Sequence, residues 1–196
     1  MTAPPPRRAA TLDLGLVRGL ADSFPNSPWQ TTSTRVFIVE RNGGVSLSWR
    51  SAKHLKSAGG VYAVLLPTAW FSTPRVLGLH PPNGHHGVAP IQFEFTVPDH
   101  TGDGYGVVYI GRATKFCQRW GGHLTTGARK RGGQVKYGLM DCGLYRDEAT
   151  ALRALREHAR IIYTALPGPG QCANRDILEM SLCARFGPAF NIKSER

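Results

Sequence analysis

The amino-acid sequence predicts an α+β protein, a small central antiparallel β-sheet flanked by helices. Two patterns carry that expectation. Runs rich in Val, Ile, Phe and Tyr, bounded by Gly, Pro or Asn, occur near residues 35–49, 61–66, 91–97 and 107–110. Apolar residues recur at helical spacing over 12–24, 147–166 and 174–186.

In chain order, residues 1–10 are Pro- and Arg-rich and read as a disordered tail. Leu12, Leu16, Val17, Leu20 and Phe24 share one helical face, with Thr11 and Asp13 as the cap region and Pro25 as the stop. Residues 35–40 and 45–49, joined through Asn42-Gly43-Gly44, read as a hairpin. Residues 51–57 are a short helix candidate. Together, residues 11–57 form a helix-and-hairpin extension to the main domain, residues 58–196. Residues 61–66 and 107–110 are the two central strands. The Gly- and Pro-rich stretch 67–106 between them reads as a long insertion with one strand of its own, 91–97. A helix is expected at about 115–123 and a third strand at 135–142. Two helices follow, at 147–166 and about 174–186, the last stopped by Gly187-Pro188.

The chain has 196 residues and a 41% hydrophobic fraction, enough for one packed domain. No stretch approaches the roughly 18 apolar residues of a membrane span, and the first residues lack the apolar core of a secretory signal. The expected location is cytoplasmic, with no membrane partner. Cys117, Cys142, Cys172 and Cys183 lack metal-site spacing and read as free thiols. His85-His86 reads as a surface loop feature. The formal net charge of +11 points to a polyanionic partner, most simply nucleic acid.

Phosphodiester hydrolysis requires a base to activate water, positive charge on the developing phosphorane, and stabilisation of the leaving oxygen. The sequence contains parts for each task. Tyr62 and Tyr109, on neighbouring antiparallel strands, can place two phenols on one sheet face. Gly60 and Gly111 flank them. Arg119 and His123 are four apart and share a face of one helix. Arg supplies a permanently charged fork that matches phosphate oxygens. Glu179 is the one acidic residue in the apolar half of the last helix, where a carboxylate needs a partner such as a cation. Each also has a plainer role: core tyrosines, a solvated helix face, an ion pair of Glu179 with Arg175 or Arg185, and a turn asparagine at Asn191.

The strings Gly60-Val61-Tyr62 and Tyr109-Ile110-Gly111, with Arg119, His123 and the segment from Glu179 to Asn191 in matching order and spacing, resemble the GIY-YIG nuclease superfamily. The likeness covers roughly residues 58–193, with Val61 in the place of the usual Ile and Arg112 in that of a frequent Lys. It implies a divalent-metal-dependent DNA endonuclease using Mg²⁺ or Mn²⁺. Tyr62 would activate the attacking water or act as the base itself. Tyr109 would support it at the phosphate, and Arg119 would stabilise the transition state. His123 would tune Tyr62 or relay a proton. Glu179 would hold the cation, and Asn191 would anchor the neighbouring loop. A phenol ionises near pH 10, so the choice of base among Tyr62, Tyr109 and His123 stays open.

The 47 positions between Tyr62 and Tyr109 make the catalytic hairpin longer than in compact members, and most like stand-alone type II restriction enzymes of the superfamily. Trp120 and Gly121-Gly122 are unusual in a helix and suggest a short or broken one. The expected DNA contacts are Arg112, Lys115, Arg129, Lys130, Arg131 and Lys136. Cutting both strands of a duplex calls for a homodimer or two successive nicks. The alternatives are a repair, mobile-element or toxin nuclease of the same superfamily, and a nucleic-acid-binding module whose nuclease site has decayed.

Overall fold

The computed structural model describes residues 12–24, 34–38, 59–79, 91–124 and 133–191. The expected tail 1–10, the second hairpin strand 45–49, the short helix 51–57, the His85-His86 loop and the basic run Arg129-Lys130-Arg131 lie outside these residues.

The fold is α+β. Among the described residues its main sheet has four antiparallel strands, β1 (Thr34–Ile38), β2 (Gly60–Pro67), β5 (Tyr105–Ala113) and β6 (Arg160–Ala165), in the order β1-β6-β2-β5. A second, two-stranded sheet pairs β3 (Arg75–Leu79) with β4 (Ile91–Phe95). Among the described residues five α-helices accompany them: α1 (Leu14–Ser23), α2 (Phe116–Leu124), α3 (Gln134–Asp141), α4 (Glu148–His158) and α5 (Cys172–Phe186). Among the described residues no helix is long and apolar enough to cross a membrane.

Both faces of the main sheet are covered. On one, Val17 and Leu20 of α1 and Leu178 and Leu182 of α5 pack on Val61, Ala63, Leu65, Ile110 and Ile162. On the other, α2, α3 and α4 cover Tyr62, Val64, Tyr109, Ile161 and Tyr163. Local chemistry sets the helix ends. The Asp13 carboxylate accepts the Leu16 N–H at 2.9 Å and caps α1, while its own backbone N–H donates to Asn174 Oδ1 at 2.8 Å and ties α1 to α5. Asp147 caps α4 through the Thr150 N–H at 2.8 Å. Gly187 ends α5 in the left-handed conformation, φ 53°, that glycine adopts without a side-chain penalty.

Three sequence-based expectations fail. The helix expected over 147–166 stops at His158, and the rest is β6. Arg160-Ile161-Ile162-Tyr163-Thr164 is β-branched and aromatic, and β6 pairs with both β1 and β2, so its apolar run is a doubly covered interior strand. Residues 135–142 form a helix, not a strand. Val135, Leu139 and Cys142, buried at intervals of four and three, define its inner face. The 67–106 insertion carries two strands where one was expected, and Phe71, Phe95 and Phe190 join it to the main core. β1 is paired along β6. The glycine pair leaves α2 short, at nine residues, but does not break it.

β5 is an edge of the sheet, and side chains from the C-terminal segment occupy its outward backbone groups. The Asn191 amide accepts the Ile110 N–H at 2.8 Å and donates to the Ile110 carbonyl at 2.6 Å. Glu179 Oε1 accepts the Arg112 N–H at 3.1 Å. These bonds stand where a further strand would bond, at about 1 kcal/mol each.

Phe190 joins the insertion, the sheet and α3: its ring lies 6.3 Å from Phe71 and 6.0 Å from Phe95, and any Cβ on Gly138 would come within 2.5 Å of it. Phe190→Ala is expected to lower stability by about 3–5 kcal/mol, read as a lower urea midpoint at unchanged slope.

Candidate active site

The β2–β5 register places Tyr62 across from Gly111 and Val64 across from Tyr109, so both tyrosines face the same side. A register shift follows at Val64/Leu65, where Leu65 pairs with Val107 and Val108 is the extra residue. The bulge turns the consecutive residues Val108 and Tyr109 into the same core layer, while Val107 and Ile110 face the other. Gly111 makes room for the phenols. A Cβ there would lie 2.9 Å from the Tyr109 hydroxyl and 3.0 Å from the Tyr62 hydroxyl, so both oxygens sit over one bare Cα.

α2 brings the other two groups. The Tyr62 hydroxyl and His123 Nε2 are hydrogen-bonded at 2.7 Å, and Arg119 Nη2 donates to the Tyr109 hydroxyl at 3.4 Å. Phe116 sets its edge on the Tyr62 ring at 5.4 Å, and Trp120 packs on His123 at 5.6 Å. Tyr62 and His123 are wholly buried and Arg119 is half-buried. The plainer alternative of a solvated Arg119–His123 face therefore fails at His123, whereas the shared helix face holds.

Burial dominates the electrostatics. It pushes Tyr62 well above the ordinary phenol range; the nearby Tyr109 adds to this, and Arg119 opposes it. Burial also raises Tyr109, again against Arg119. His123 is held down to about 3, first by burial and then by the positive charges of Arg119 and Lys136. At neutral pH the site therefore holds two protonated phenols and a neutral imidazole beside a guanidinium. Both phenols keep their protons: the Tyr109 hydroxyl lies beside Arg119, and the Tyr62 hydroxyl is already hydrogen-bonded to His123.

Glu179 lies at the end of the same strand, on α5. Its carboxylate takes the Arg112 N–H, and Oε2 is 3.4 Å from Arg112 Nε. The partner is Arg112, not the Arg175 or Arg185 considered from sequence. Arg175 is bonded to the Leu166 and Gly168 carbonyls, and Arg185 to the Ala21 carbonyl. Among the described residues no three His, Cys, Asp or Glu side chains converge as a ligand cluster. A single carboxylate fits a hard cation that keeps its waters and takes phosphate oxygens, as Mg²⁺ does, and not a cation caged by protein ligands.

Of the residues expected to contact DNA, Lys115 is exposed just ahead of α2, and Arg112 is half-exposed beside Glu179. Lys136 is a correction. It is wholly buried and paired with Glu148 at 2.5 Å, because the helix that replaces the expected strand turns position 136 inward. Asp176 and Phe116 escaped the sequence reading, and Trp120 was noted there for its place in the helix but not for its contact with His123. The only signal for Asp176 was its place one turn before Glu179. Comparison with known proteins returned nothing: no family model, curated protein or solved structure matches this chain.

Two outcomes follow from the buried charges. For His123, a folded pKa near 3 against about 6.5 unfolded means the unfolded chain protonates first as pH falls. The stability from its neutral burial is complete above about pH 6.5 and is lost on the way down toward 3. Urea titrations between pH 7 and 4 should show a slope steeper by up to about 1.4 kcal/mol per pH unit in wild type than in His123→Gln. For the ion pair, Glu148→Gln leaves an ammonium with no access to water, whereas Lys136→Met leaves a carboxylate that is 27% exposed. Glu148→Gln should cost roughly 3–5 kcal/mol and Lys136→Met distinctly less, by thermal or urea unfolding.

Proposed function

We propose that this chain is a divalent-metal-dependent DNA endonuclease of the GIY-YIG type, acting on duplex DNA as a sequence-specific, type II restriction-like hydrolase in the cytoplasm. One observation carries the reading. Tyr62 of β2 meets Tyr109, Arg119 and His123, which lie 47 to 61 positions further along the chain, over Gly111, and Glu179 stands at the end of the strand that carries that glycine. The formal charge of +11 suits a polyanionic substrate.

In this reading Arg119 takes the scissile phosphate. Its guanidinium already lies against the phenols and carries a charge that survives at any working pH. Tyr62 and Tyr109 enter the reaction as phenols, orienting the phosphate and the attacking water by donating to them. His123, neutral and hydrogen-bonded to Tyr62, holds that ring; in the tautomer with the proton on Nε2 it donates to the phenol oxygen and leaves the Tyr62 O–H for the phosphate or the water. Glu179 would hold the cation, which when bound supplies Lewis-acid charge to the phosphate. Asn191 keeps the edge of β5 in place beside Glu179. With one such centre per chain, a double-strand break takes a homodimer or two nicks.

The test is cleavage of supercoiled plasmid with Mg²⁺. Discrete fragments are expected; a smear would favour a nonspecific nuclease, and no cutting would overturn the enzyme reading. Glu179→Gln keeps an acceptor for the Arg112 N–H and removes only the charge. It and Arg119→Ala should each lower the rate by at least about 10²-fold with unchanged circular dichroism. Full activity in Glu179→Gln would contradict the cation assignment.

A further inference from the structure

Arg112 is shared between two carboxylates of α5. Its Nη1 is in tight contact with Asp176 Oδ1, while its Nε stands 3.4 Å from Glu179 Oε2. A charge-assisted N–H···O bond is ordinarily near 2.7–2.9 Å, so the guanidinium is anchored on Asp176 and only loosely engaged with Glu179. Asp176 and Glu179 are three positions apart and lie on the same face of one helix. Arg112 follows Gly111 directly, so its backbone is fixed at the strand end where Glu179 accepts its N–H. Only the guanidinium is free to choose between the two acids.

That choice affects Glu179. A guanidinium closing on a carboxylate with both forks occupies both oxygens and cancels the charge. Such a Glu179 is a poor ligand for any cation. A guanidinium drawn aside leaves the charge in place and one oxygen within reach. We propose that Asp176 is a positioning residue: it holds Arg112 away from Glu179 and so keeps that carboxylate available to a divalent cation. The inference rests on the reading above that Glu179 takes the cation, and it adds the residue that keeps it competent. It also gives Arg112 a double use, because a phosphate arriving at the strand end meets a guanidinium already fixed beside the site.

The test is Mn²⁺ binding to the full chain without DNA, followed by the loss of the free-ion electron paramagnetic resonance signal. Wild type, Glu179→Gln, Asp176→Asn, Arg112→Ala and the double variant Asp176→Asn/Arg112→Ala are compared. Asp176→Asn should weaken Mn²⁺ binding roughly fivefold, and Arg112→Ala should not weaken it. In the Arg112→Ala background, Asp176→Asn should change affinity by less than about twofold, since no guanidinium remains to be held aside. Equal weakening by Asp176→Asn in both backgrounds would overturn the proposal, because Asp176 would then act as a direct ligand or a bare charge. So would an unchanged affinity in Asp176→Asn when Glu179→Gln loses the ion. If wild type and Glu179→Gln bind Mn²⁺ alike, the cation assignment fails and this inference fails with it, a result readily told from the other two.

Discussion

Tyr62 and Tyr109 can meet because Gly111 stands across the ladder from Tyr62 and carries no side chain. The antiparallel β2–β5 register is the constraint on which the site depends. A slip of one residue would send Tyr62 to the opposite face, among Val61, Ala63 and Leu65. A Cβ at position 111 would push both phenols off His123 and Arg119. The bulge at Val108 keeps this register compatible with Tyr105 and Val107 packing toward α5. The long insertion leaves it intact, since β3 and β4 form a sheet of their own.

Most of the polar side chains around the phenols lie where water is scarce, and four of them are tied to a backbone group or to another polar side chain. Asn191 and Glu179 bond the outward edge of β5, His123 bonds Tyr62, and Lys136 bonds Glu148 below. Dry surroundings strengthen these contacts and also hold the phenols and the imidazole in their neutral forms. Glu179 thus has two jobs in the proposed enzyme: capping the strand edge through its Oε1 and offering charge through the rest of the carboxylate. That duality is why replacement by glutamine, and not alanine, separates its structural role from its chemical one.

The elements read best from sequence were those whose local signals agreed. β2 and β5 are apolar, β-branched runs between turn residues; α1 starts at an Asp13 cap, α5 stops at Gly187, and each has one apolar face. Where signals conflicted, the reading erred. Residues 159–166 continue a helical spacing of apolar residues and also hold β-branched Ile161, Ile162 and Thr164, and sheet pairing on both sides decided for strand. Residues 135–142 hold enough apolar character for a strand, but the burial of Val135 and Leu139 against the site layer made them a helix. That one misreading also turned Lys136 from an expected phosphate contact into a buried ion pair.

By itself the sequence determined the α+β class, the two central strands, and the spacing that allows Tyr62 with Tyr109 and Arg119 with His123 to share faces. Those properties follow from side-chain periods of 2 and 3.6 residues, which are local. Tertiary structure alone decided that the two pairs meet, that burial holds His123 neutral, that Glu179 finds Arg112, and that Asp176 competes for the same guanidinium. Each of these depends on which helix packs over which strand end. That is set by the packing of the two core layers, and no local pattern in the chain encodes it.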